Sequence, residues 1–197
     1  MYDSTDDVIT KSATEGKKVV LTFDDGPGKH LSAILDILKQ EGVQAMFFWQ
    51  ARLLYPERPW LRVIEEGHTI GTHTLKHRNL AKLSYQQQLL DLKQSVNEIE
   101  SITGTRVAYF RPPFGQYNQE TLRAAEELGL ETVMWKIASI DWELKNTPEQ
   151  IVSNVADHLQ DGAIILLHEL KQTVEVLPEL IQTIRKKGFE FTILNKS

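Results

Sequence analysis

Val19-Val20-Leu21-Thr22-Phe23-Asp24-Asp25-Gly26-Pro27 is a nearly continuous apolar run that ends abruptly in two carboxylates and a turn. A short run apolar on both faces is what a parallel sheet covered on both sides requires. The pattern recurs at Ala45–Trp49, His68–Gly71, Val107–Phe110, Thr132–Trp135, Ala163–Leu167 and Phe189–Leu194. Seven such runs predict seven parallel strands.

Amphipathic stretches separate them. Leu31, Ile34, Leu35 and Leu38 form one helical face; Leu89, Leu92, Val96 and Ile99 form another, behind a capping box at Ser84-Tyr85-Gln86-Gln87. Thr147-Pro148-Glu149-Gln150 sets a proline at a first helical position, where no amide is needed. Glycines after the helices, Gly42 and Gly104 among them, suit left-handed helix ends. Alternating strands and helices allow an open doubly wound sheet or a β/α barrel. About 180 residues is short for a regular eightfold barrel of ~250, so the expectation is a distorted, incomplete (β/α) barrel. Residues 17–197 form the expected catalytic domain, and residues 1–16 a polar, loosely held tail.

Bulk properties narrow the function. The 197 residues carry a net charge of −5, which offers no field for gathering phosphates and argues against nucleic acid. Neutral or cationic substrates fit better. The absence of cysteine removes thiol nucleophiles, thiolate zinc sites and disulfides. The N-terminus is acidic and lacks the apolar core of a signal peptide, and no run is long enough to span a bilayer.

The chemistry gathers at one rim. In β/α architectures active sites lie at the carboxyl ends of strands. Asp24 and Asp25 end the first expected strand, His73 and His77 follow the third, and Arg111 follows the fourth. Asp141 lies past the fifth and His168 ends the sixth. Adjacent carboxylates are costly together unless a cation or different tasks separate them. Two histidines four apart, on one side of a helical turn, have metal-ligand spacing. Two imidazoles and a carboxylate leave zinc a position for water. These residues reach metal-assisted hydrolysis of an amide or ester.

The motifs TFDDGP (22–27), HTLKH (73–77), RPPFG (111–115), Asp141-Trp142 and Leu166-Leu167-His168 occur in that order. With them the chain resembles the NodB-like polysaccharide deacetylases of carbohydrate esterase family four, from about Lys17 to Leu194. The resemblance implies a divalent metal, most often Zn²⁺ with Co²⁺ or Ni²⁺ as alternatives, held by Asp25, His73 and His77. It implies Asp24 as general base oriented by Arg111, and His168 as general acid partnered by Asp141. The Phe114 backbone amide would support the oxyanion, and Trp142 and Leu166 would line the acetyl pocket. The implied substrate is an N-acetylated polysaccharide, peptidoglycan or a chitin-like polymer, in the cell envelope or outside the cell. A cytoplasmic setting is the alternative, and a monomer is expected.

Some positions depart from the family. Ala138 stands where many members carry aspartate, and Ile137–Trp142 leans towards the peptidoglycan-acting branch. Trp49-Gln50-Ala51-Arg52 replaces a small residue and glycine with a bulky, basic turn beside the cleft, bearing on which sugar fits. Glu169 follows the acid histidine where aspartate is frequent. His30, His68 and His158 read as structural, as does Arg185-Lys186-Lys187 at a helix C-terminus. Tyr55 and Trp60 read equally as a sugar platform or as loop packing. The competing functions are an amidohydrolase of small amides, an O-acetyl esterase and a non-catalytic glycan-binding module.

Overall fold

A computed structural model describes residues 8–13 and 16–194. Eight strands appear among them: β1 (Lys18–Gly26), β2 (Met46–Trp49), β3 (Thr69–Thr72), β4 (Tyr109–Phe110), β5 (Glu131–Thr132), β6 (Ile137–Ala138), β7 (Ile164–His168) and β8 (Glu190–Phe191). Between them lie helices α1 (Leu31–Glu41), α2 (Trp60–Glu65), α3 (Tyr85–Thr103), α4 (Gln119–Glu127), α5 (Glu149–Ala156) and α6 (Lys171–Lys186). Seven strands run in the order β5-β4-β3-β2-β1-β7-β6, and β8 pairs with the first residues of β1. Every pairing is parallel. The sheet curls into a distorted, incomplete β/α barrel, as expected.

Strand alternation sorts β1 between two cores. Val19, Leu21 and Phe23 point outward into the large cluster shared with the helices, beside Phe47, Trp49, Ile165 and Leu167. Val20 points inward with Met46, Phe48, Tyr109, Val133 and Ile164. The same parity carries Thr22 and Asp24 to the interior face. Register completes the placement, because Asp24 lies beside His168 across the β1–β7 pair. Gly42 and Gly104 end α1 and α3 in the left-handed region, at φ 62° and 66°. The Ser84 amide donates to Gln87 Oε1, as the capping box requires. Helix α5 starts at Glu149, with Pro148 already in helical conformation.

Two expectations change. Thr132–Trp135 is not one strand: β5 and β6 lie at opposite ends of the strand order, and the chain crosses between them. Its backbone is satisfied outside any regular ladder. The Arg111 guanidinium donates to the carbonyls of Val133 and Met134, the Met134 amide to Ile9, and the Lys136 amide to Ile164. Asp141 therefore follows the sixth strand and His168 ends the seventh.

The tail expectation also fails over residues 8–12. Ile9 pairs parallel with Val133 and Lys11 antiparallel with Ala163, while Val8 and Thr10 are buried. This strap joins the segment after β5 to the residue before β7. A β-branched stretch as short as Val8-Ile9-Thr10 is below the length at which alternation is legible. Met1–Asp7 lie outside the described residues.

Candidate active site

The carboxyl ends of β1, β3, β4 and β7, with the segment after β6, surround a cavity of about 400 Å³. Asp24, Asp25, His73, His77, Phe114, Trp142, Leu166 and His168 all line it. Arg111 and Asp141 stand behind that lining, each fully buried. All ten residues singled out in the sequence are thus brought together.

Asp25, His73 and His77 offer ligand atoms within 4.8 Å of one another. His77 Nε2 lies 3.3 Å and His73 Nε2 3.8 Å from Asp25 Oδ1. His73 Nδ1 lies 2.7 Å from the Arg111 carbonyl oxygen. A carbonyl can only accept, so Nδ1 carries the proton and Nε2 presents its lone pair to the carboxylates. Burial pushes the His73 pKa down, against the opposing pull of Asp24 and Asp25, which favours the neutral ligand form. Burial alone would raise the Asp25 carboxyl. The imidazoles of His73, His77 and His168, with the Gln50 amide, together hold it below the ordinary value. One carboxylate and two imidazoles is a donor set that fits a catalytic zinc with a position left for water.

The histidines do not share a helical turn, contrary to the expectation from their spacing. Residues 74–76 form an irregular turn with Thr74 at φ 70° and His77 at φ 56°. Helix α3 holds it: the Leu75 amide donates to Asp91 Oδ1, and Ser95 Oγ lies 2.6 Å from Thr72 Oγ1. Asp25, Thr74, His77, Phe114 and Ile140 are the non-glycine residues with positive φ among the described residues. Each is a site residue or its neighbour. Backbone strain of this kind costs on the order of 1–3 kcal/mol per residue and concentrates at functional sites.

Two buried pairs flank the ligand cluster. Arg111 Nη1 donates to Asp24 Oδ1 at 2.7 Å, and to Thr22 Oγ1 at the same distance. Asp24 Oδ2 lies 3.7 Å from His73 Nε2. Opposite, His168 Nδ1 lies 2.8 Å from Asp141 Oδ1, and Thr173 Oγ1 donates to Asp141 Oδ2 at 2.6 Å. Burial would lower the His168 pKa. The hydrogen bond and charge of Asp141, with the charges of Asp24 and Asp25, reverse that and raise it. The Phe114 ring packs edge-on against His77 at 4.5 Å, and Trp142 against His168 at 5.3 Å. The two rings are among the most exposed large apolar side chains of the described residues.

The profile of the polysaccharide deacetylase family matches residues 11–133. The chain belongs to that family. It is 33% identical to the peptidoglycan-N-acetylmuramic acid deacetylase PdaA of Bacillus subtilis, over 90% of this chain and 70% of that protein. It is 32% identical to the peptidoglycan-N-acetylglucosamine deacetylase PgdA of Listeria monocytogenes, over 93% of this chain but 39% of PgdA. The fold superposes with a TM-score of 0.87 on a family-four carbohydrate esterase described as a pseudoenzyme, from Bacillus anthracis. That match is 28% identical and covers 93% of this chain and 66% of the other.

Within this deacetylase framework two further carboxylates brace the site: Glu169, noted in the sequence only as a departure from aspartate, and Asp91, which the sequence did not single out. Glu169 is buried and accepts from the Gly28 amide at 2.6 Å and from Trp49 Nε1 at 3.0 Å. It ties the loop after Asp25 to the ends of β2 and β7, and burial pushes its pKa up to about 7. Asp91 steadies the two-histidine turn. Neither role is legible in sequence, because each acts through a partner more than fifteen residues away. Gln50, expected to bear on sugar fit, turns to Asp25: its Nε2 donates to Asp25 Oδ1 at 2.8 Å.

The structural histidines lie away from the cavity. His68 Nδ1 accepts from the Ala45 amide at 3.1 Å, while its buried Nε2 has no hydrogen-bond partner. His30 precedes α1, and His158 Nδ1 lies 2.9 Å from the Asn154 carbonyl oxygen at the end of α5. Trp60 donates to the Pro56 carbonyl and packs against the outer core, so it serves loop packing. Tyr55 is exposed beneath Arg58. Arg185 binds Glu41 on the outer surface.

Proposed function

We propose that this protein is a metal-dependent N-deacetylase that hydrolyses the acetamide of N-acetylated sugars in a peptidoglycan-like polymer, releasing acetate. The observation that carries this is the convergence of a carboxylate–imidazole–imidazole cluster between two oppositely equipped pairs, Asp24–Arg111 and His168–Asp141. The assignment of zinc to Asp25, His73 and His77 rests on their donor chemistry. A bound zinc supplies Lewis acidity and lowers the pKa of water towards neutrality.

Arg111 occupies Asp24 Oδ1, which leaves Oδ2 on the cavity side to take the proton of the attacking water. The water oxygen bonds to the acetamide carbon. The Phe114 amide, carried on a left-handed residue at the rim, donates to the oxygen where charge develops. The carbon–nitrogen bond then breaks as His168, held by Asp141 through Nδ1, gives the Nε2 proton to the departing amine. The upward shift of the His168 pKa, driven by Asp141 against the effect of burial, favours retention of that proton. Trp142 and Leu166 bound the space for the acetyl methyl.

The relatives that act on peptidoglycan support a polymer substrate and an envelope setting. Among the described residues no helix is long and apolar enough to cross a membrane. The pseudoenzyme similarity does not favour a binding module here, because Asp24, Asp25, His73, His77 and His168 all line one cavity.

The test is acetate release from N-acetylglucosamine oligomers and from peptidoglycan, using metal-stripped protein before and after zinc is added. Zinc-dependent release from either supports the reading. No release from either, with zinc demonstrably bound, overturns it in favour of a small amide or an O-acetyl ester.

A further inference from the structure

Gln50 is buried at the carboxyl end of β2, one residue beyond Trp49. Its backbone amide donates to the Gly26 carbonyl at 2.9 Å, which fixes it beside the Asp24–Gly26 turn. Its side-chain Nε2 donates to Asp25 Oδ1, the oxygen that also faces His77 and His73. Its Oε1 accepts twice from one guanidinium, from Arg52 Nε at 3.1 Å and Nη2 at 3.0 Å. The amides of Ala51 and Arg52 donate to the carbonyls of Thr74 and Leu75 in the two-histidine turn.

This chain of contacts has a direction. A carboxamide has two orientations related by a half-turn, and only one of them satisfies both neighbours. Flipped, it would set its carbonyl against a carboxylate and its NH₂ against a guanidinium. Arg52 therefore dictates which end of Gln50 meets Asp25. Asp25 needs such a partner, because its backbone lies in the left-handed region and its side chain is partly exposed. Resting on the metal-centre reading above, we infer that Gln50 is a positioning residue for the metal ligand Asp25, locked in its working orientation by Arg52.

A hydrogen bond also draws charge from the ligand oxygen, which opposes binding. Orientation outweighs this, since groups that hold metal ligands in place contribute roughly 10–100-fold to affinity when they are lost.

The experiment titrates the metal-free protein with Zn²⁺ against a chromogenic chelator, in the unaltered chain, Gln50→Leu, Arg52→Ala and the double variant. Melting temperatures of the metal-free forms report the fold. Gln50→Leu should weaken zinc ~10–100-fold, and Arg52→Ala should weaken it less. Adding Arg52→Ala to Gln50→Leu should change nothing further, because Arg52 acts only through the amide. A merely structural pair would lower the melting temperature and leave affinity alone. Wild-type affinity in folded Gln50→Leu overturns the inference, as does full additivity in the double variant. Should Gln50→Leu not fold, Arg52→Ala at the outer end decides: wild-type affinity there overturns it. Failure of the unaltered protein to bind zinc would instead overturn the metal-centre reading, and this inference with it.

Discussion

His168 and Asp141 are joined twice: the imidazole Nδ1 lies 2.8 Å from Oδ1, and the His168 backbone amide donates to Oδ2 at 2.7 Å. The carboxylate thus fixes both the position of the residue and the tautomer of its ring. Its charge helps raise the imidazole pKa above 6.5 despite burial.

That charge gives activity a pH dependence of known sign. In Asp141→Asn the charge is lost, the His168 pKa falls, and the protonated fraction at neutral pH falls with it. The alkaline limb of kcat/KM for acetate release should move to lower pH, while zinc stoichiometry stays the same. An unmoved limb would remove His168 from the role of acid.

The ligand and acid roles separate in simple variants. Asp25→Ala and His77→Ala should abolish zinc retention on dialysis. His168→Ala should retain zinc and lose turnover by ~10²–10⁴-fold. Full activity in any of the three would refute the site assignment.

Arg111 tests the buried charge pair. Its side chain is fully buried and also donates to Val133 and Met134, so its loss strands the Asp24 carboxylate and frees two carbonyls. Arg111→Met should cost about 3–5 kcal/mol in urea unfolding. Arg111→Met with Asp24→Leu should recover part of that while remaining inactive, since no buried charge is left alone. Arg111→Lys should not rescue, because one ammonium cannot reproduce the fork.

His68 makes a stability switch remote from the cavity. Burial holds its pKa at about 4, below the ordinary 6.5. Folding therefore favours the neutral ring, and the stability it contributes is present above pH 6.5 and lost as pH falls towards 4. Protonation of Nδ1 also breaks the acceptance from Ala45. His68→Asn supplies an acceptor that cannot charge, and its melting temperature should fall less steeply than wild type across that window. Parallel curves would contradict the assignment.

The strap over residues 8–12 should matter to stability and not to zinc. Deleting residues 1–12 exposes the surfaces under Val8 and Thr10 and leaves the Thr132 and Gly162 carbonyls without their donors. A loss of at least ~2 kcal/mol is expected from the apolar burial and hydrogen bonds removed. Zinc stoichiometry should hold. Unchanged denaturation midpoints would make the strap incidental.

Much of the site was legible in the chain because its residues follow directly on apolar runs. Asp24 and Asp25 close β1, and His168 closes β7, so strand ends alone carried them to one rim. The β5–β6 crossing was not legible. Its backbone partners, Arg111 and Ile9, are distant in sequence, and its composition reads as one strand. The two-histidine turn was misread as helical because spacing reports which residues meet, while the left-handed Thr74 and His77 report how.

Local order along the chain was enough for the parallel β/α architecture, the rim on which the chemistry sits and seven of the ten residues there; Phe114, Trp142 and Leu166 came from the family resemblance. These depend on short-range periodicity and on which residue ends each run. The folded arrangement supplied the geometry by which Arg111 holds Asp24 and Asp141 holds His168, pairings the resemblance implied, and it alone showed that Gln50, Asp91 and Glu169 support the loops between. Those relationships join residues from different strands and helices, and only the curling of the sheet sets the distances at which a hydrogen bond can form.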